Sequence, residues 1–191
     1  MNFKTITTVA SFCLVVCAWN ARSVELMTKE DAVKRMFLTA DKVTEEKMVL
    51  TDDQAAAVKK ALGGKLYAIK KTDGVNENEY TFFIGTKAGK QTGIAVIEEE
   101  IDKWGPLQFI IVVDPTTGNV TNAAMMKYVD SRSRYLSERS FLKTFFGKGS
   151  ADPLEVNNDI NAVSGATVST GVLCFIVKKV VALHNVLFLK K

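Results

Sequence analysis

The chain has 191 residues, 47% of them apolar and 24% charged, with a formal net charge of +4. That length carries one domain with a proper core plus a small extension, and the composition is that of a folded globular protein. The positive excess is spread over many lysines, with no arginine-rich or aromatic-interleaved basic block, so nucleic acid is not an indicated partner.

The N-terminus opens with Met1-Asn2-Phe3-Lys4, one positive charge, followed by an uncharged apolar run over 6–19. Small residues close the run at Val16-Cys17-Ala18. These are the parts of a secretory signal peptide, assigned to residues 1–18, and they predict an extracytoplasmic protein, periplasmic or membrane-associated. The run is shorter than the ~20 apolar residues of a spanning helix, and a retained signal anchor is the alternative. Cys13 and Cys17 fall in this segment, which leaves Cys174 as the single cysteine of the mature chain, a buried small hydrophobe.

Residues 22–62 read as a helical N-terminal extension. Thr28-Lys29-Glu30-Asp31 is a capping pattern ahead of Ala32, Val33, Met36 and Phe37, and Thr51-Asp52-Asp53-Gln54 starts a second helix stopped by Gly63-Gly64. From Lys65 the pattern changes to short strands at 66–69, 80–84, 93–97, 107–113 and 120–129, separated by turn residues of which Asp114-Pro115-Thr116-Thr117-Gly118 is the strongest set. Tight turns between short strands predict an antiparallel sheet. Residues 134–146 turn helical, with Leu136, Phe141, Leu142, Phe145 and Phe146 on the apolar side and Gly147 as the stop. A polar loop over 148–163 leads to an apolar C-terminal helix over 171–189. The expected fold is α+β, an antiparallel sheet with packed helices, forming a single domain over 63–191.

Few residues offer acid–base chemistry. The one histidine, His184, has apolar neighbours and reads as a core or surface residue. Cys174 and His184 are ten residues apart on one helix, roughly 15 Å along its axis, which excludes a Cys–His dyad. No nucleophile elbow, Walker motif or dinucleotide fingerprint is present. The informative stretch is Ser164-Gly165-Ala166-Thr167, a kinkable turn directly before the last helix. It puts the Thr167 hydroxyl at a helix N-terminus, where unpaired amides and the helix dipole favour a phosphate. Helix capping is the simpler role for the same residues.

The Ser-Gly-Ala-Thr run resembles the flavinylation motif of the FMN-binding domains in Rnf and Na+-translocating NADH:quinone reductase subunits. The resemblance spans residues 67–172 and includes the 114–118 turn and Phe141-Leu142-Lys143-Thr144-Phe145-Phe146-Gly147-Lys148 upstream. It implies FMN joined to Thr167 by a phosphoester bond, placed by a Mg2+-dependent flavin transferase that uses FAD as donor. Gly165 and Ala166 would let the transferase approach. The hydroxyls of Ser164, Ser169 and Thr170, and the amides of Val168, Ser169 and Thr170, would bind the phosphate. Lys148 would be its counter-charge, or else a solvated loop lysine. Asp130, Ser131 and Arg132 would lie beside the flavin ring, with Arg134 as the other arginine candidate and Met125, Met126 and Tyr128 in the same region. The family commonly has an acidic residue three positions before the motif serine, and this chain has Asn161 there. The implied function is an exported electron carrier that relays electrons between membrane-bound or extracytoplasmic redox proteins. A flavin-dependent reductase of a small acceptor, and a non-flavinylated accessory module of the same fold, remain open.

Overall fold

A computed structural model describes residues 23–69 and 76–189. The signal segment lies outside the described residues. The elements run β1 (Val24–Glu25), α1 (Lys29–Met36), β2 (Lys42–Val49), α2 (Asp52–Ala61), β3 (Glu79–Lys87), β4 (Lys90–Ile101), β5 (Pro106–Val113) and β6 (Val120–Tyr128). A 3₁₀ segment (Ser131–Ser137), α3 (Arg139–Leu142), a second 3₁₀ turn (Lys143–Phe145), α4 (Thr167–His184) and a π-helical end (Asn185–Leu189) follow. The six strands form one antiparallel sheet in the order β1-β6-β5-β4-β3-β2. The fold is therefore α+β, as the turn spacing predicts.

Strand alternation splits the apolar side chains between two faces. Phe82, Ile84, Ile94, Val96, Phe109 and Ile111 face α4, α2 and α3 in the main core. Phe83, Ala95, Ile110, Val112 and Met126 face α1 in a smaller one. Gly85 and Gly93 sit opposite each other on β3 and β4, and the Phe37 ring lies against both. A Cβ at Gly85 would overlap that ring, so the glycine pair is the slot that seats the end of α1.

Three local expectations need correction. The 22–62 stretch is helical only in part, because β1 and β2 lie within it and both belong to the sheet. β2 pairs with β3 over eight residues, and its Thr44 and Met48 turn inward opposite Ile84 and Tyr80. Good helix formers at Glu45, Glu46, Lys47 and Met48 masked it, and pairing with a neighbouring strand overrode propensity. Residues 66–69 form bends rather than a strand, and the Ala68 amide donates to the Glu100 carboxylate instead of to a neighbouring strand. The helix predicted over 134–146 is broken into two 3₁₀ stretches around the single turn of α3. Both predicted N-caps form: Thr28 accepts from the Asp31 amide, and Thr51 and Gln54 close a capping box.

α4 has the length and apolarity of a membrane span, but most of it is buried inside the domain against β4, β5 and α2. Its one charge in the interior, Lys179, is buried and bonds Glu98 at 2.9 Å and Glu100 at 2.6 Å. Asp102, the residue after β4, continues their alternation, and all three turn toward α4.

Candidate functional site

The polar loop before α4 ends in a turn closed by the Ala166 amide donating to the Val163 carbonyl. Gly165 sits in that turn at φ 76°, a left-handed conformation that glycine adopts without strain. The chain then enters α4 at Thr167. The first helical bond runs from the Thr170 amide to the Ala166 carbonyl. The amides of Thr167, Val168 and Ser169 come before it and have no backbone acceptor among the described residues, as at any helix start. Ala166 at the cap has no side chain to serve them. Thr167 is exposed, and its hydroxyl has no hydrogen-bond partner among the described residues.

A cleft of about 210 Å³ opens over this turn, lined by Lys103, Trp104, Asp130, Arg132 and residues 165–169. Trp104 lies in the β4–β5 turn with half its surface exposed. The Lys103 ammonium lies 4.8 Å from its ring centre and the Arg132 guanidinium 5.6 Å. Arg132 also pairs with Asp130 at 2.7 Å, and its hydrogen bond holds the Asp130 carboxyl below the usual carboxylate range. The cleft therefore joins an unpartnered hydroxyl, free amides, two cations and an aromatic face.

Asp102 holds the two sides of the cleft together. One carboxylate oxygen accepts from the Trp104 amide at 2.6 Å and the Gly105 amide at 3.0 Å. The other accepts from the Ser169 hydroxyl at 2.7 Å, and Ser169 also bonds Ser133 at 2.8 Å. All three side chains are buried. The strand turn carrying Trp104 is thus tied to the helix turn carrying Thr167.

The predicted site residues divide into two sets. Thr167, Gly165, Ala166, Asp130 and Arg132 come together at the cleft. Ser164 is exposed in the same turn, and Ser131 is exposed beside Arg132. The Ser169 and Thr170 side chains are committed to the interior, Ser169 as above and Thr170 to the Ala166 carbonyl and the Val163 amide. Thr170 also spends its amide on the helix, so the free donors are those of Thr167, Val168 and Ser169. Lys148 turns to Asp159 at 3.0 Å and pins the 150–160 loop. Asp159, the acid nearest Asn161, accepts from the Leu154 and Glu155 amides besides Lys148. Burial acts against its charge, but these donors outweigh it and hold the carboxyl below its ordinary value. Asn161 itself is exposed. Met125 and Met126 are buried in the sheet, and Arg134 lies over Tyr135 rather than in the cleft.

Sequence reasoning missed Lys103, Trp104 and Asp102. A tryptophan in a four-residue polar turn, Asp102-Lys103-Trp104-Gly105, was the available signal, since such a ring has no core to enter. His184 and Cys174 are buried, and burial pushes the Cys174 thiol up to about 12. A larger apolar groove of about 570 Å³ flanks the same helix turn on its other side, and Val168 lines both spaces. No protein-family model matches the chain, and no curated protein matches its sequence.

Proposed function

We propose that the protein is an exported electron carrier with FMN attached covalently through Thr167. The observation that carries this reading is the exposed, unpartnered Thr167 hydroxyl at the first residue of α4, with free amides behind it and Lys103 and Arg132 beside it. The donor set fits a phosphate, since helix amides and cations both favour an anion there. Trp104 and the apolar groove sharing Val168 offer a flavin ring the apolar surface it needs. Bound FMN would accept two electrons and release them singly, the chemistry of a relay.

The chain's own part in attachment is to present a reachable nucleophile. The reaction forms a bond from Thr167 Oγ1 to the FMN phosphorus of FAD, breaks the pyrophosphate bond, and releases AMP and the hydroxyl proton. Gly165 and exposed Ser164 leave the approach open to a Mg2+-dependent transferase. Lys103 and Arg132 would balance the phosphodiester charge. The partners would be membrane-bound or extracytoplasmic redox proteins, and the N-terminal segment supports export. A tether keeps the cofactor local where lost FMN is not replaced.

Asn161 favours a second reading, an accessory module without flavin, because Asp159 is already spent on Lys148 and the loop. Intact mass decides between them. Full-length protein is expressed with its export signal beside a flavin transferase. The carrier gains the mass of one FMN less water, and Thr167→Ala abolishes the gain. No adduct, with a competent control substrate labelled in the same cells, rejects the carrier.

A further inference from the structure

The strip that follows β6, residues 130–146, starts in the cofactor cleft with Asp130 and Arg132 and runs beyond it. Three of its arginines, Arg132, Arg134 and Arg139, are exposed, and each lies over an aromatic ring. Arg132 covers Trp104 at 5.6 Å, Arg134 covers Tyr135 at 4.9 Å, and Arg139 covers Phe146 at 4.7 Å. Lys103 adds a second cation on Trp104, and Lys143 is exposed on the same stretch. Against these five cations stand Asp130, already paired with Arg132, and Glu138.

A guanidinium resting on a ring is ordered before it binds anything, so less side-chain entropy is lost on binding. Its planar fork matches a carboxylate. Arg134 spends one donor on the Tyr135 hydroxyl and Arg139 one on Asn122 Oδ1, which leaves each further donors for a partner, while Arg132 is already paired with Asp130. Tryptophan, tyrosine and arginine are also the residues that carry most interface energy. Trp104 and Tyr135 remain 50% and 41% exposed. We propose that this strip is a docking face for an acidic protein surface, one that presents aspartate and glutamate side chains to the three arginines. The strip begins at the Thr167 cleft, so a partner seated on it lies against the cofactor. That the partner is a redox protein rests on the carrier reading, whereas the docking face itself does not. A membrane fits the strip less well, since the rings lie under cations and do not project as an apolar wedge. Single-stranded nucleic acid fits less well, since Trp104 and Tyr135 are the strip's two well-exposed rings, too few for a run of stacked bases.

Trp104 is a built-in reporter once Trp19 is replaced by Phe in the full-length chain. Poly-L-glutamate is the probe, and its binding is read as protection of Trp104 from acrylamide quenching. Protection is expected in low salt and disappears in high salt. Arg132→Gln with Arg134→Gln and Arg139→Gln should weaken binding about tenfold or more, a few-fold for each surface pair lost. Lys34→Gln with Lys59→Gln and Lys60→Gln removes the same charge elsewhere and should leave binding within about twofold by the same reasoning. Equal loss in both triple variants, or no protection at all, overturns the proposal. So does stronger protection by phosphatidylglycerol vesicles or an oligothymidine at matched anionic charge. The measurement is repeated on Thr167→Ala, where protection should persist. Failure of docking with intact mass labelling rejects the face alone, and failure of labelling with intact protection rejects the carrier alone.

Discussion

Lys179→Met tests the buried ionic cluster between α4 and β4. Methionine keeps the stem's apolar packing and removes only the ammonium. Two carboxylates, Glu98 at 8% exposure and Glu100 at 0%, then face each other with no cation. Breaking a buried pair by removing one partner costs on the order of 3–5 kcal/mol. An independent route gives a similar figure. A glutamate can escape its buried charge by taking a proton, which costs about 3.7 kcal/mol at pH 7 from an ordinary value of ~4.3. The loss in the variant therefore has a ceiling near ~4 kcal/mol per carboxylate at pH 7, and that ceiling falls by ~1.4 kcal/mol for each pH unit lowered.

The sign follows from the environment. Burial already holds the Glu98 carboxyl above its ordinary value, even with Lys179 opposing it. Without Lys179 the folded state binds protons that the unfolded state does not, so the variant regains stability as pH falls toward the ordinary glutamate value. Urea unfolding at pH 5, 6, 7 and 8 reads this as a shift in midpoint at constant m. The expected deficit relative to wild type is about 4 kcal/mol at pH 7, shrinking to about 1–2 kcal/mol at pH 5. Adding Glu98→Gln and Glu100→Gln should recover most of it, because the side-chain carbonyl of a glutamine at position 100 still accepts from the Ala68 amide. A deficit below about 1 kcal/mol at pH 7, or one that does not change with pH, refutes the reasoning.

Three other perturbations reach the site and the core. Asp102→Ala strips the acceptor from Ser169 and from two turn amides, so about 3 kcal/mol should be lost and acrylamide quenching of Trp104 should rise; unchanged quenching would show that Asp102 does not fix that turn. Burial holds the His184 imidazole below its ordinary value, so folding stability is full above ~6.5 and declines as pH falls, because the unfolded chain takes the proton first. His184→Leu should flatten that slope in urea titrations between pH 5 and 8, and an unaltered slope counts against it. Gly165→Val places a β-branched residue at φ 76° with only the Arg132 Cδ near its Cβ, at 3.7 Å, so the cost is backbone strain of about 1–2 kcal/mol, read as a lower Tm.

The readable parts of the sequence were those where one local rule was sufficient. Apolar runs between turn residues gave β4, β5 and β6, and Thr28 and Thr51 marked their helices by capping chemistry. The turn before α4 was legible because Gly165 and Thr167 stand where the polar loop meets an apolar run. β2 was not legible, since an edge strand exposes its polar side chains and carries charges that guard its open edge, and these are also helix formers. Glu98-Glu99-Glu100 resembles a solvated charge run when read along the chain. Only strand alternation separates inward Glu98 and Glu100 from Glu99, whose carboxylate lies 3.5 Å from Lys127 instead. Lys179, the charge farthest inside an apolar helix, was the matching clue on the other partner.

The buried polar groups explain how so apolar a helix holds one position. α4 is apolar almost all round, so burial alone stabilises many rotations and axial positions nearly equally. Two polar contacts remove that freedom. Ser169 bonds Asp102, and Lys179 bonds Glu98 and Glu100. Ten residues of helix span about 15 Å. The four-residue step from Glu98 to Asp102 spans about 13 Å of strand, so the two sets match only when α4 runs opposite to β4 in one register. A change of register would pull the Lys179 ammonium from its carboxylates and take the Ser169 hydroxyl from Asp102, which would keep only the Trp104 and Gly105 amides. Thr167 lies two residues before Ser169 and Trp104 two residues after Asp102. Both groups of the cleft therefore extend from the same hydrogen bond, which fixes their separation. The ionic cluster deeper in the core keeps the helix from sliding out of that alignment.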